Sequence, residues 1–126
     1  MKINDFRLEV FFNKYEFTAP YLLTQSDCES MTVEELLNLE EGAKEEFLDS
    51  WLGYTEVEGS LELRKEIAKL YSNIDIDGIL VHVGAQEAIF NYMNVVLDTG
   101  DHIICQFPVY QSLYEVANSI GCEVSK

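Results

Sequence analysis

The chain has 126 residues, 48% of them hydrophobic and 25% charged, and its 8 Lys and Arg against 23 Asp and Glu leave a formal charge of −15. That length holds one ordinary soluble domain and not two. So acidic a balance disfavours nucleic-acid backbones and anionic membrane surfaces, both of which are bound through Lys and Arg.

No apolar run approaches the roughly 18–20 residues that span a bilayer, and Asp5, Arg7 and Glu9 interrupt any signal-peptide core. Three scattered cysteines, Cys28, Cys105 and Cys122, form no disulfide framework and read as small core residues of a reduced, cytoplasmic protein. Residues 1–25 are rich in aromatics (Phe6, Phe11, Phe12, Tyr15, Phe17, Tyr21). They read as an arm with one short helix, broken by Pro20 and extended through Leu22 and Leu23. So aromatic an arm is expected to pack on the body or on a partner.

Thr32-Val33-Glu34-Glu35 is a capping-box pattern that predicts one helix, apolar along Val33, Leu36, Leu37, Ala43, Phe47 and Leu48 and acidic opposite. Most of the excess acid lies from Asp27 to Glu62 and reads as solvated surface. Trp51 to Gly59 reads as a loop, and Ser60 as the cap of a helix carrying Leu63, Ile67, Leu70 and Tyr71. After the turn at Asp75–Gly78, Ile79–Val83 predicts a strand. Gly84 then turns into a helix over about 85–97, buried along Ala88, Ile89, Tyr92, Met93 and Val96. His102–Phe107 predicts a second strand. Residues 109–120 predict a helix with Leu113, Val116, Ala117 and Ile120 inward and Gly121 at its C-cap, and Cys122–Ser125 opens a third strand. From residue 79 the order is β-α-β-α-β, so the fold class is α/β with right-handed crossovers.

Two loops carry chemical interest. At Gly84-Ala85-Gln86 a strand feeds a glycine and a helix starts at once. The first helical N–H groups lack intrahelical acceptors and lie at the positive end of the helix dipole, a phosphate cradle in principle. Neither GxGxxG nor GxxxxGK[ST] is present. Phe107-Pro108-Val109-Tyr110 follows the next strand, where an aromatic can stack on a flat heterocycle. His82 and His102 have no second ligand at metal spacing, and no metal is expected.

Taken together, Leu52-Gly53-Tyr54, Gly59 to Ala68, Ile79 to Ile89, Leu97 to Asp101 and Phe107 to Tyr110, then Tyr114, Gly121 and Val124, resemble the N-terminal third of a class I/II aminotransferase, a fold-type I pyridoxal-phosphate enzyme. The resemblance covers about residues 51–126. It implies an N-terminal arm and first helix over 1–50, followed by the start of the large-domain sheet over 51–126. It also implies pyridoxal 5'-phosphate as cofactor, held through its phosphate by Gly84, Ala85 and Gln86, with Tyr110 stacked on the ring. Tyr54 matches the tyrosine that reaches the phosphate of the neighbouring subunit in a homodimer.

The implied reaction passes an amino group between an amino acid and a 2-oxo acid. Two departures accompany it. Thr24-Gln25-Ser26-Asp27-Cys28 stands where the family often carries a Gly-x-x-Pro-like turn that touches substrate, which hints at an unusual subgroup. None of Lys2, Lys14, Lys44, Lys65, Lys69 and Lys126 sits in the context of the Schiff-base lysine. The expectation is therefore a truncated piece of an aminotransferase, inactive alone. The alternatives are a piece of a lyase or cyclase of the same fold, or a free-standing acidic interaction module.

Overall fold

Among residues 2–126, which a computed structural model describes, six α-helices and two short strands form. The arm carries α1 (Arg7–Tyr15). The capping box closes as the sequence asks: Thr32 Oγ1 accepts from Glu35 N at 3.1 Å and Glu35 Oε2 accepts from Thr32 N at 2.7 Å. The Thr32 amide and hydroxyl donors favour the carboxylate and hold the Glu35 pKa below its ordinary value. The single helix expected here is instead two, α2 (Val33–Leu37) and α3 (Ala43–Leu48). The break is Gly42, whose φ of +86° takes the backbone out of the right-handed helix although the apolar spacing continues across it.

Ser60 caps α4 (Leu61–Ala68), its hydroxyl accepting from Leu63 N at 3.4 Å. Arg64 points inward from this helix and is buried. Its Nη2 donates to Ile76 O at 2.8 Å, tying α4 to a 3-10 turn at Ile76–Gly78, and it lies 3.7 Å from the exposed Asp77 carboxylate. Only Nη2 of the guanidinium is bonded, and the more strongly hydrated ammonium of a lysine would be buried there with one close acceptor for its three donors. Arg64→Lys should therefore cost about 1–3 kcal/mol of unfolding free energy, read as a lower urea midpoint. An unchanged midpoint would show that the tie is not structural.

Ile79–Val83 is not a paired strand. The backbone bond that joins this β-branched run to another segment is Val81 N to Glu58 O, at 2.9 Å, and Val83 already bends into the turn. A strand needs a neighbour along its length, and the two strands that form pair with each other. α5 (Ala85–Val96) follows, then β1 (His102–Ile104), α6 (Ser112–Ile120) and β2 (Glu123–Ser125). The strands are parallel, in the register His102 to Glu123, Ile103 to Val124 and Ile104 to Ser125, with α6 as the crossover. Two loops meet at their base: Thr99 Oγ1 donates to Ile120 O at 2.8 Å and Gly100 N to Gly121 O at 3.0 Å. Gly121 holds the left-handed C-cap at φ +102°.

The fold is thus α/β, as expected, with its core on α6. Ser112, Val116 and Ala117 are fully buried, and Cys105 is nearly so. Along α5, Ala88, Ile89 and Met93 are half-buried, whereas Tyr92 and Val96 are exposed, contrary to the periodicity. The helix meets α6 over only part of its apolar stripe. Of the thiols, Cys105 alone is buried; Cys28 is exposed. No helix among the described residues is long and apolar enough to cross a membrane.

Candidate functional site

Gly84 sits at φ +85°, ψ 162°, and a Cβ added there would meet nothing within 4 Å. Backbone conformation, not crowding, demands glycine, and the open side leaves room for a ligand to approach. Helix α5 begins at once, and the amides of Ala85, Gln86 and Glu87 find no acceptor among the described residues. The Glu87 carboxylate folds back onto the Val83 N–H and lies 3.8 Å from His82 Nδ1. It therefore caps the residue before the turn rather than the three free amides. A surface cavity of about 730 Å³ opens at Gly84 and Ala85, walled by Ile67, Tyr71, His82 and Ala88. Gln86 is exposed on the same first turn.

The second turn follows β1. Tyr110, 39% exposed, donates its phenol to Glu9 Oε1 at 3.0 Å, across 101 positions of sequence. The Phe6 ring stands perpendicular to it, at 85° and 6.2 Å between centroids. Partial burial, and then the Glu9 carboxylate, push the Tyr110 pKa above that of an ordinary tyrosine.

The arm docks on α6 as expected, but through polar contacts, and Phe17 and Tyr21 of its aromatics stay exposed. Asn4 Nδ2 donates to Glu115 Oε1 at 2.5 Å, Arg7 N to Gln111 Oε1 at 3.0 Å, and Gln111 Nε2 to Asp5 O at 3.1 Å. Between the arm and the turn lies a cavity of about 820 Å³, lined by Tyr110, Gln111, Arg7, Thr24 and Ser26 among others. Thr24 and Ser26 of the divergent stretch thus share a cavity with Tyr110.

Glu9 is the residue that sequence reasoning missed. An acidic residue in the first turn of a short helix carries no signal of a contact so distant in sequence. Gly84 and Ala85 line one cavity and Tyr110 another, so the two turns do not share a wall. Tyr54 is fully exposed, on a loop with Trp51, Leu52 and Val57 also in solvent. Among the described residues no group of three or more His, Cys, Asp or Glu side chains is placed to hold a metal.

A model of the family described as aminotransferase class I and II matches residues 21–126. An uncharacterized aminotransferase of Saccharolobus solfataricus is 34% identical over 89 residues, 67% of this chain and 22% of that protein. A probable aspartate/prephenate aminotransferase of Rickettsia conorii is 37% identical over 93 residues, 69% of this chain and 23% of that protein. Among solved structures, the crystal structure of the PLP-dependent cyclase OrfR in complex with Au has the same fold, at a TM-score of 0.85 and 23% identity, over 99% of this chain and 33% of that one. The chain spans less than a quarter of the length of these curated relatives.

Proposed function

The chain belongs to the aminotransferase class I and II family, and on that premise we propose that it carries the arm and the first cofactor-binding elements of a pyridoxal 5'-phosphate enzyme acting on an amino acid and a 2-oxo acid. The observation that carries this reading is the Gly84 turn: a positive-φ glycine with open space beside it, followed by unpaired amides at the start of a twelve-residue helix. Such an end attracts a phosphate through N–H donors and dipole together, so the residues present fit the cofactor's phosphate. When bound, the cofactor supplies an electron sink for bonds at the substrate Cα.

The chain's own part is to bind and orient. Gly84 lets the backbone come close, the Ala85 and Gln86 amides donate, and the Tyr110 ring offers a stacking surface. Tyr54, on its exposed loop, is suited to reach a second subunit of a homodimer. Residues 1–50 are then the arm and first helices and 51–126 a part of the large domain of a cytoplasmic enzyme. That this chain alone does not turn over is part of the proposal, resting on the sequence contexts of Lys2, Lys14, Lys44, Lys65, Lys69 and Lys126.

Equilibrium dialysis against pyridoxal 5'-phosphate and against pyridoxal tests the reading. The phosphate should improve retention at least about tenfold, because charge-assisted hydrogen bonds contribute about 1.5–3 kcal/mol each. Gly84→Val should abolish that difference. Equal retention of the two compounds would sink the phosphate assignment, and amino-acid turnover by the chain alone would sink the inactivity. Family membership favours this reading over a free-standing acidic interaction module. Because a PLP-dependent cyclase has the same fold, product analysis with the whole enzyme is the measurement that separates amino-group transfer from elimination or cyclisation.

A further inference from the structure

We propose that Glu9, on the arm helix, is a positioning residue for Tyr110, so that docking of the arm sets how the Tyr110 ring is presented to a flat ligand. The inference rests on the reading of Tyr110 as the stacking aromatic. Four observations carry it.

First, a tyrosine with about two-fifths of its surface open has a ring that is free to turn unless something holds its far end. The Glu9 carboxylate does so, at 3.0 Å from the phenol oxygen. Second, Phe6, three residues earlier on the same arm, stands perpendicular to the ring at 6.2 Å. Hydroxyl and ring are therefore both constrained by one segment. Third, that segment is anchored independently, through the Arg7 amide on Gln111 and the Asn4 side chain on Glu115, so the restraint is transmitted to α6 and not merely to a loose tail. Fourth, Tyr110 lines a cavity whose other walls include Thr24 and Ser26 of the same arm. The arm thus builds one side of the space that the ring faces.

Of the charged and titratable groups around this contact, Arg7 and Tyr114 line the same cavity as Tyr110, and Asp5, Glu115 and Lys126 line the cavity next to it. Asp5 accepts from Gln111 through its backbone carbonyl. Because the Tyr110 pKa is raised, the phenol stays protonated and the contact intact up to the ordinary tyrosine range; it is lost as pH rises through the raised value.

The test compares the full chain with Glu9→Ala, Glu9→Gln, Tyr110→Phe and the Glu9→Ala/Tyr110→Phe pair. Alanine keeps helix propensity, and glutamine keeps an acceptor oxygen without the charge. Exchange of the Arg7 amide with solvent should quicken about three- to tenfold in Glu9→Ala and in Tyr110→Phe, with no further gain in the pair, as one shared bond requires. Ultraviolet titration should show a late-ionising tyrosine in the parent chain, earlier ionisation in Glu9→Ala and loss of that component in Tyr110→Phe.

With pyridoxal 5'-phosphate added, Glu9→Ala should weaken the visible circular dichroism of the bound cofactor, and Glu9→Gln should restore much of it. Additive exchange effects or an unmoved tyrosine titration would overturn the Glu9–Tyr110 tie. An intact tie with unchanged circular dichroism would overturn the positioning role while leaving cofactor binding in place. If the parent chain shows no cofactor band at all, the cofactor reading falls and the positioning role with it, while exchange and titration still decide the tie itself.

Discussion

Gly59→Ala is expected to destabilise the chain by about 2–5 kcal/mol, far more than the same substitution at Gly84. Both glycines have positive φ, +101° and +85°, and placing a Cβ in that region costs about 1–2 kcal/mol on its own. They differ in what the new methyl would meet. At Gly84 it would meet nothing within 4 Å, whereas at Gly59 it would fall 2.5 Å from Cβ and Cγ2 of Val81. Val81 cannot give easily, because its amide is bonded to Glu58 O, one residue before the glycine. Overpacking of that kind adds about 1–3 kcal/mol. Urea denaturation of the two variants side by side checks the difference, and Gly59→Ala/Val81→Ala should recover the overpacking part. Equal losses at the two glycines would mean that the close approach is not what fixes residue 59.

The second large effect is expected at Val116, where no surface is exposed. Val116→Asp removes an apolar side chain worth about 1.5–3 kcal/mol of burial and leaves a carboxyl group without partners, a further cost of several kcal/mol. The sum approaches the whole stability of a typical domain. The variant should lose cooperative thermal unfolding and its near-ultraviolet circular dichroism. Val116→Ala should retain both at a cost of about 1–2.5 kcal/mol. Asn118→Asp, two residues on and exposed, should change stability by less than about 1 kcal/mol. Retention of a sharp transition by Val116→Asp would show that α6 does not organise the core.

Local signals were the legible part of this fold. The Thr32–Glu35 box, the Ser60 cap and the Gly121 C-cap each concern atoms within four residues of one another, and each forms as its residue types require. The crossover from β1 through α6 to β2 was legible for a related reason: apolar period and turn residues agree there. Ile79–Val83 was not, because a β-branched run reports the capacity to be a strand, while pairing depends on a neighbour that sequence alone does not locate. The division of α2 from α3 escaped because apolar spacing is blind to one residue of positive φ. At the site, Gly84 and its helix could be read from the residues themselves. Tyr54 came only through resemblance to a family, and its full exposure gives it no local partner from which to infer a role. Glu9 could not be read at all, since its significance lies in a contact 101 positions away.

The loops joined at the foot of the parallel pair bear on the order in which the chain acquires structure. Thr99 reaches Ile120 across 21 positions. Closing a loop of that size costs only slightly more entropy than closing one of ten. Once the two loops meet, the Asp101 carbonyl accepts from Glu123 N at 2.7 Å and the first rung of the ladder is in place. Neither strand then has to search for its register. Contacts about twenty positions apart close at a lower entropy cost than contacts about a hundred apart. The β1–α6–β2 unit is therefore expected to form before the clasp between Glu9 and Tyr110, whose partners stand 101 positions apart, and that clasp is expected to be among the first contacts to open under stress.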